Sequence, residues 1–405
     1  MDCARGRHRI SSVARAGFVV LLVAGWTLPA AAQEANTTSA PLAAWVKDEG
    51  FRIQSHDRNW RLRVGLQLAV SYQPFFEPSG NDWANFIFPY ARPYLTGSLL
   101  RPWLEYLCSF EFRTFPPFLL DCFAEAVPWS FFGVRAGQFQ TPQSRHENQG
   151  PLGILFPDFA TVADYFWTGR DRGVELLGET PYVDYYASFT AGTTLTQTTS
   201  TPGNYQLIGR VSINPLGAMG PTEMPYVRTD EAVPFRFSVG VQGAWGRVNP
   251  NGVGFNPDAF LQLMAQGERT QAIGSGDLLV QWGRFGFFGE FYVRHVEPRD
   301  MLTPSFNQFG AWAQAHVTFY RRILDAGVRF DWIDPGNLLP NDRFLAGEVQ
   351  LAWFIFVPAL ALRLRYGVAH QQDPGPAPAA LLTTVGLPIA PGTEHLATLQ
   401  LQLAL

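Results

Sequence analysis

The residues in this chain with the most chemistry to offer are arginines set one residue apart among apolar ones. In Asn59-Trp-Arg-Leu-Arg-Val-Gly-Leu-Gln-Leu-Ala-Val-Ser-Tyr72, Arg61 and Arg63 alternate with Trp60, Leu62 and Val64. A guanidinium keeps its charge at any ordinary pH and holds carboxylates or phosphates through a planar fork of donors. A row of them facing water is therefore anion-binding chemistry. The spacing recurs with acids included: Glu105, Glu111 and Arg113 alternate with Tyr106, Cys108, Phe110 and Phe112, while Arg363 and Arg365 alternate with Leu362, Leu364 and Tyr366. Asp121 and Glu125 lie in the apolar segment that follows Glu111. Arg135, Arg170 and Arg172 flank a long stretch, 139–169, that contains Arg145, His146 and Glu147. Of the 30 basic residues only Lys47 is not an arginine.

Catalytic and metal-binding patterns are missing from the sequence. It has no G-x-S-x-G, H-E-x-x-H, C-x-x-C or P-loop, and its histidines have no partner at helical metal-ligand spacing. The expectation is no enzyme, no resident metal and no cofactor.

Alternation at period two is the pattern of a β-strand with one face toward apolar surroundings and one toward polar ones. In the segment from Trp60 the apolar face carries Trp60, Leu62, Val64, Leu66, Leu68, Val70 and Tyr72. An average strand has about 5 or 6 residues, whereas a tilted strand crossing a bilayer needs roughly 9 to 11. Length and alternation together predict a membrane strand, apolar toward lipid and polar toward a lumen. Further strands are predicted at 86–98, 104–113, 119–127, 131–138, 173–178, 182–190, 205–213, 235–245, 276–282, 287–296, 306–319, 324–333, 348–356, 360–369 and 395–405. The fold class is therefore all-β, a transmembrane antiparallel β-barrel of about 16 strands.

The connections fit this reading. Short turns are expected at 100–102, 128–130, 179–181, 283–286, 320–323 and 357–358, and mostly long loops at 73–84, 139–172, 191–204, 246–275, 334–343 and 370–393. Bacterial barrels show the same alternation of short inner turns and long outer loops. Two connections break it, a short outer one at 114–117 and a long inner one at 214–234. Trp60, Tyr72, Trp103, Trp129, Tyr320 and Trp332 fit aromatic girdles at the membrane interfaces.

The chain has 38 Gly, 31 Pro and 14% aromatic residues, with no apolar run long enough for a spanning helix. Residues 1–32 read as a signal peptide: Arg5, Arg7, Arg9 and Arg15, then a short apolar core, then Ala30-Ala31-Ala32. A periplasmic segment, 33–58, and a barrel domain, 59–405, follow. The whole chain carries 30 basic against 34 acidic residues, and removing the arginine-rich leader leaves it more acidic, which excludes nucleic acid as a partner. Cys108 and Cys122 fall on lipid-facing positions of successive strands, which admits either a disulfide or two small apolar wall residues.

Several segments resemble the phosphate-selective porins of the O and P type. Asp48-Glu-Gly-Phe-Arg-Ile-Gln-Ser-His-Asp-Arg-Asn-Trp-Arg-Leu-Arg-Val-Gly65 is similar to that family's opening. Val134-Arg-Ala-Gly-Gln-Phe-Gln-Thr-Pro142, Gly169-Arg-Asp-Arg-Gly-Val174, Leu207-Ile-Gly-Arg-Val-Ser-Ile-Asn-Pro-Leu-Gly217, Phe288-Gly-Glu-Phe291 and the closing His395–Leu405 resemble further motifs, in the family's order. The resemblance implies a trimeric sixteen-stranded porin whose third external loop, here 139–169, folds into the lumen and narrows it. It implies a bacterial outer-membrane location, lipid around the barrel and a homotrimer. The function implied is passive diffusion of small hydrophilic solutes, including anions such as phosphate. The candidate pore-lining set is Arg61, Arg63, Arg113, Arg135, Arg145, Arg170, Arg172, Glu105, Glu111, Asp121, Glu125, Arg363 and Arg365. Two features depart from the family. Lysines line its pore, whereas the single Lys47 here precedes the barrel, and the chain ends at Leu405 where an aromatic residue is usual. Rival readings are a closed barrel with a structural or adhesive role and a barrel hydrolase.

Overall fold

The computed structural model describes residues 43–46, 50–76, 83–193, 203–219, 223–224, 233–248, 268–299, 303–356, 359–375 and 391–404. The expected signal peptide, Lys47 and Leu405 lie outside them. Eighteen strands are present: β1 Ala43–Val46, β2 Gly50–Gln54, β3 Arg61–Phe76, β4 Trp83–Leu99, β5 Arg101–Glu111, β6 Phe118–Trp129, β7 Phe132–Gln140, β8 Arg170–Glu179, β9 Val183–Thr190, β10 Tyr205–Ile213, β11 Arg236–Val248, β12 Arg269–Trp282, β13 Phe285–Pro298, β14 Phe306–Phe319, β15 Leu324–Asp334, β16 Phe344–Phe356, β17 Leu360–Gln371 and β18 Gly392–Ala404. Three short helices are α1 Arg145–Asn148, α2 Thr161–Phe166 and α3 Tyr320–Ile323.

From β3 to β18 each strand pairs antiparallel with its predecessor, and β18 returns to β3, with Leu401 opposite Val70. A closed antiparallel barrel of sixteen strands results, so no strand edge is left unpaired. Each of the sixteen expected strands coincides with one of β3–β18.

Strand faces are inverted relative to a water-soluble protein. In β10 the outward Leu207, Val211 and Ile213 are exposed, while the inward Gln206, Arg210 and Ser212 are buried. Apolar outside and polar inside is the distribution that lipid around a hydrated lumen selects. Trp60, Trp103, Trp129, Trp282 and Tyr320, all near the end that carries the tight turns, are likewise exposed. We call this end inner and the opposite end outer.

The sequence reading missed the β1–β2 hairpin. β2 pairs Phe51–Gln54 with Val64–Arg61, along the edge of β3 that accepts β18 farther on. This places Arg52 directly opposite Arg63.

Cys108 and Cys122 are joined by a disulfide across β5 and β6, which settles the alternatives left open by the sequence.

The connection between β7 and β8 folds back into the lumen. Its neck is closed by the Thr141 N–H donating to Gly169 O at 3.1 Å and by the Thr141 and Thr168 hydroxyls at 2.7 Å. Beyond the neck, Val162, Tyr165 and Phe166 pack in one buried cluster with inward side chains such as Ile273, Phe288, Trp312 and Phe344. The apolar core therefore lies inside the barrel. Two inward glycines make room for the loop: a Cβ at Gly310 would overlap the Phe166 ring and approach Val162, and one at Gly327 would press on Leu155.

Candidate functional site

The in-folded loop is tied to one half of the wall. The Ser144 hydroxyl donates to Glu290 at 2.9 Å; Arg145 donates to Asp277 through Nε at 3.0 Å and to the Ser238 hydroxyl at 2.6 Å. The Val162 N–H donates to Asp331 at 3.1 Å. Arg363 donates to Phe156 O at 2.7 Å, Arg329 to Asp158 O at 2.9 Å, and Arg365 forms a 2.7 Å ion pair with Asp158. These hydrogen bonds and ion pairs, between groups largely withdrawn from water, tie the loop to the wall.

A second anchor comes from the inner end. Glu223, in the connection between β10 and β11, meets His146 and accepts from the Leu155 N–H at 2.8 Å, while its own N–H donates to Gly153 O at 3.0 Å. Met224 packs with Leu155 and Phe156. The long inner connection that broke the length rule is therefore the one that braces the loop from below.

With the β10–β17 side occupied, open space remains beside β3–β8. A cavity of about 530 Å³ is lined by Arg61, Arg63, Arg92, Glu105, Asp121 and Arg170 among others, with Gly150 and Leu152 of the loop opposite. A smaller one of about 70 Å³ lies toward the outer end, with Glu111, Arg113, Glu147, Asp164 and Arg170 in its wall. Arg92, Leu120, Gln140, Gly150, Pro151 and Arg170 belong to both walls, so the two adjoin at a junction between wall and loop.

Most charges in these walls are paired. Arg61 meets Glu105 at 3.2 Å, Arg170 meets Asp121 at 2.9 Å, and Arg92 meets Glu111 at 2.7 Å. Arg63 differs. It donates to the Tyr94 hydroxyl at 3.3 Å, its guanidinium lies over the Tyr94 ring at 5.7 Å, and its Nε is buried without a hydrogen-bond partner. With four arginines against two carboxylates, the larger cavity is a positive region.

On the loop, burial first, then the Asp164 carboxyl to which it hydrogen-bonds, hold the Glu147 carboxyl well above the usual range, against the pull of Arg170. Two carboxyl groups bonded to each other need a proton between them.

The thirteen residues singled out from the sequence divide into two groups. Arg61, Arg63, Glu105, Asp121 and Arg170 line the larger cavity, and Glu111, Arg113 and Arg170 the smaller. Arg145, itself on the loop, is buried against the wall, and Arg363 and Arg365 face inward from β17 and lie buried against the loop; none of the three is in the wall of either cavity. Arg135 is held between Glu125 and Glu175, over the Phe123 ring at 4.6 Å. Arg172 donates to the Thr193 hydroxyl at 3.2 Å. Arg135, Glu125 and Arg172 also lie outside both cavity walls.

Arg92 was missed, and the cause is local. Phe86 and Phe88 point outward, but the register shifts between Ala69 and Ser71 of β3, around Pro89 of β4, so that Tyr90 and Arg92 point inward on the same parity. A bulge that swaps faces is invisible to strict alternation, although a proline within a strand marks where to look for one. Among the described residues no group of three or more His, Cys, Asp or Glu is placed to hold a metal ion.

Comparison with protein-family profiles and with curated protein sequences gives no match. Solved structures do match. An anion-selective porin from Comamonas acidovorans superposes with TM-score 0.57 at 10% identity, covering 85% of this chain and 99% of that one. The Salmonella typhi OmpF complex with daunomycin gives 0.56 at 7% identity, covering 87% and 100%. An in-vitro folded OmpT of Vibrio cholerae in a trimer form gives 0.55 at 9% identity, covering 85% and 99%. At these identities the likeness shows the fold: an antiparallel sixteen-stranded barrel shared with outer-membrane porins.

Proposed function

We propose that this protein is a bacterial outer-membrane channel through which small hydrophilic solutes diffuse passively, with a preference for anions. The observation that carries the reading is the charged space of about 530 Å³ left between the loop and the β3–β6 wall, continued outward by the smaller cavity. An apolar exterior demands lipid, and a lumen lined by ions demands water. The anion preference rests on the arginine excess and on Arg63, which has no carboxylate partner among the described residues, with Arg52 opposite it. Phosphate is the finer form of this proposal, supported by the resemblance of the motifs; a guanidinium supplies the donors that phosphate accepts, though as a fixed fork rather than a mobile point charge. A leader at 1–32, a homotrimer and the absence of enzymatic activity belong to the same reading.

Reversal potentials of the refolded full chain in asymmetric KCl, repeated with inorganic phosphate added, test it. Anion-biased reversal with phosphate reducing the chloride current supports an arginine-based anion channel. A bias toward potassium would remove the anion preference and keep the channel.

One observation favours a second reading. The loop and Glu223 fill the β10–β17 side of the lumen with packed, hydrogen-bonded groups, as they would in a closed barrel with a structural role. Absence of conductance from a folded barrel is the outcome that selects it.

A further inference from the structure

The smaller cavity differs in chemistry from the larger one. Its wall contains four carboxylates, two of which are committed elsewhere: Glu111 to Arg92 at 2.7 Å and Asp158 to Arg365 at 2.7 Å. The other two, Glu147 and Asp164, come from the in-folded loop and bond to each other. Two acceptors there have no partner although they are almost wholly buried: the Tyr90 hydroxyl, in a residue 3% exposed, and Glu147 Oε1, in a residue 1% exposed. Buried polar atoms left unpaired in a stable structure are costly, and a ligand that supplies the missing bonds removes that cost.

Donors stand beside these acceptors. The Trp167 indole N–H lines the same cavity without a partner, and the Arg170 guanidinium lies 5.5 Å from the Trp167 ring centre. Arg92 and Arg170 belong to both cavity walls. Unsatisfied acceptors thus face outward of a guanidinium-lined junction. A small α-amino acid matches this order, since its ammonium has three donors and no acceptor and its carboxylate two acceptor oxygens.

We propose that the smaller cavity is an ammonium subsite, and that the passage holds a small zwitterionic amino acid. The ammonium sits on Glu147 and the Tyr90 hydroxyl, and the carboxylate on Arg92, Arg170 and the Trp167 N–H. This rests on the channel reading, and it names a solute class for that same passage. When the ammonium arrives, the proton shared by Glu147 and Asp164 leaves to solvent and the carboxylate pair becomes the counter-charge. Arg170 and Glu290 are the charged groups that face Glu147 from the barrel wall.

Calorimetric titration of the refolded full chain in detergent with glycine tests the subsite without depending on conductance. Glycine should bind at least tenfold more tightly than acetate, which lacks the ammonium. Glu147→Gln and Asp164→Asn should each weaken glycine tenfold or more and change acetate less than twofold. Should Glu147→Gln not refold, Asp164→Asn and Tyr90→Phe decide the question. Glycine binding no tighter than acetate, or unchanged in the variants, overturns the proposal. Conductance without glycine binding would overturn the subsite alone, and glycine binding without conductance would overturn the channel while keeping the subsite.

Discussion

His146 of the in-folded loop and Glu223 of the β10–β11 connection meet at 2.5 Å inside the lumen, joining a segment that enters from the outer end to one that enters from the inner end. His146 Nε2 is committed as well, accepting from the Ala160 N–H at 2.9 Å, so the ring carries its proton on Nδ1 and donates it to the Glu223 carboxylate. Glu223 takes two further donors, the Leu155 N–H and the Gln314 amide. This meeting point is thus one of the ties that hold the loop in the lumen.

Glu223→Ala should free the loop. Removing the acceptor leaves buried donors, the His146 Nδ1–H among them, unsatisfied at roughly 1 to 3 kcal/mol each. Here that cost falls on loop anchorage, because β3–β18 close the barrel without it. Single-channel records should show larger and noisier current steps than the wild type, and the loop should become a site of proteolytic cleavage in the folded barrel. Quiet steps of wild-type size would show that Glu223 does not hold the loop.

The same residue sets a pH dependence. Burial would raise the Glu223 carboxyl, but His146, the Leu155 N–H and Gln314 outweigh it and hold the group below its ordinary value of 4.5. A carboxyl with a depressed folded pKa contributes its stabilisation above the unfolded pKa, and that contribution is lost as pH falls through the folded one. Anchorage should therefore be complete above about pH 5 and weaken progressively below about 4.5. Current noise recorded from pH 7 down to pH 3 should rise only in the acid range, and Glu223→Gln should be noisy throughout.

Gly310→Val tests the fit of the loop against β14. The added side chain meets the Phe166 ring and Val162, and overpacking of this kind costs about 1 to 3 kcal/mol. Strand pairing at Gly310, opposite Tyr292 and Ile333, involves only backbone and survives. The expected result is a barrel of normal heat resistance with altered conductance. A loss of barrel stability with unchanged conductance would contradict the assignment.

The disulfide predicts the opposite separation. Cys108 and Cys122 sit on the lipid-facing side of β5 and β6 and close a short segment, 14 residues apart. Closing such a loop stabilises by about 3 kcal/mol in the chain-entropy description. Cys108→Ser with Cys122→Ser should lower the temperature at which the barrel unfolds on gels and leave single-channel conductance within a few per cent. A changed conductance would mean that the β5–β6 wall shapes the passage more than its outward geometry indicates.

Much of this architecture was legible because membrane strands are long and carry their pattern on every residue. All sixteen barrel strands follow from alternation, and the loop that enters the lumen stands out by length. Arg61, Arg63, Glu105 and Asp121 were placed in the cavity wall by the same parity. What alternation could not carry was missed. Arg92 lies beyond the face swap at Pro89, and Glu223 sits in a connection with no period at all. The β1–β2 hairpin is too short to show a pattern. Arg363 and Arg365 have the parity of lumen residues, but a loop arriving from elsewhere in the sequence covers them, and Arg145 of that loop is turned onto the wall; strand periodicity says nothing of what packs on an inward face.

An aqueous path beside the loop must pass ions, and single-channel recording of the refolded full chain in symmetric KCl tests this most directly, with Arg63→Gln compared under a salt gradient. Stable unitary steps are expected, with an anion bias that falls or vanishes in Arg63→Gln. A correctly folded, heat-resistant barrel that passes no current would contradict it.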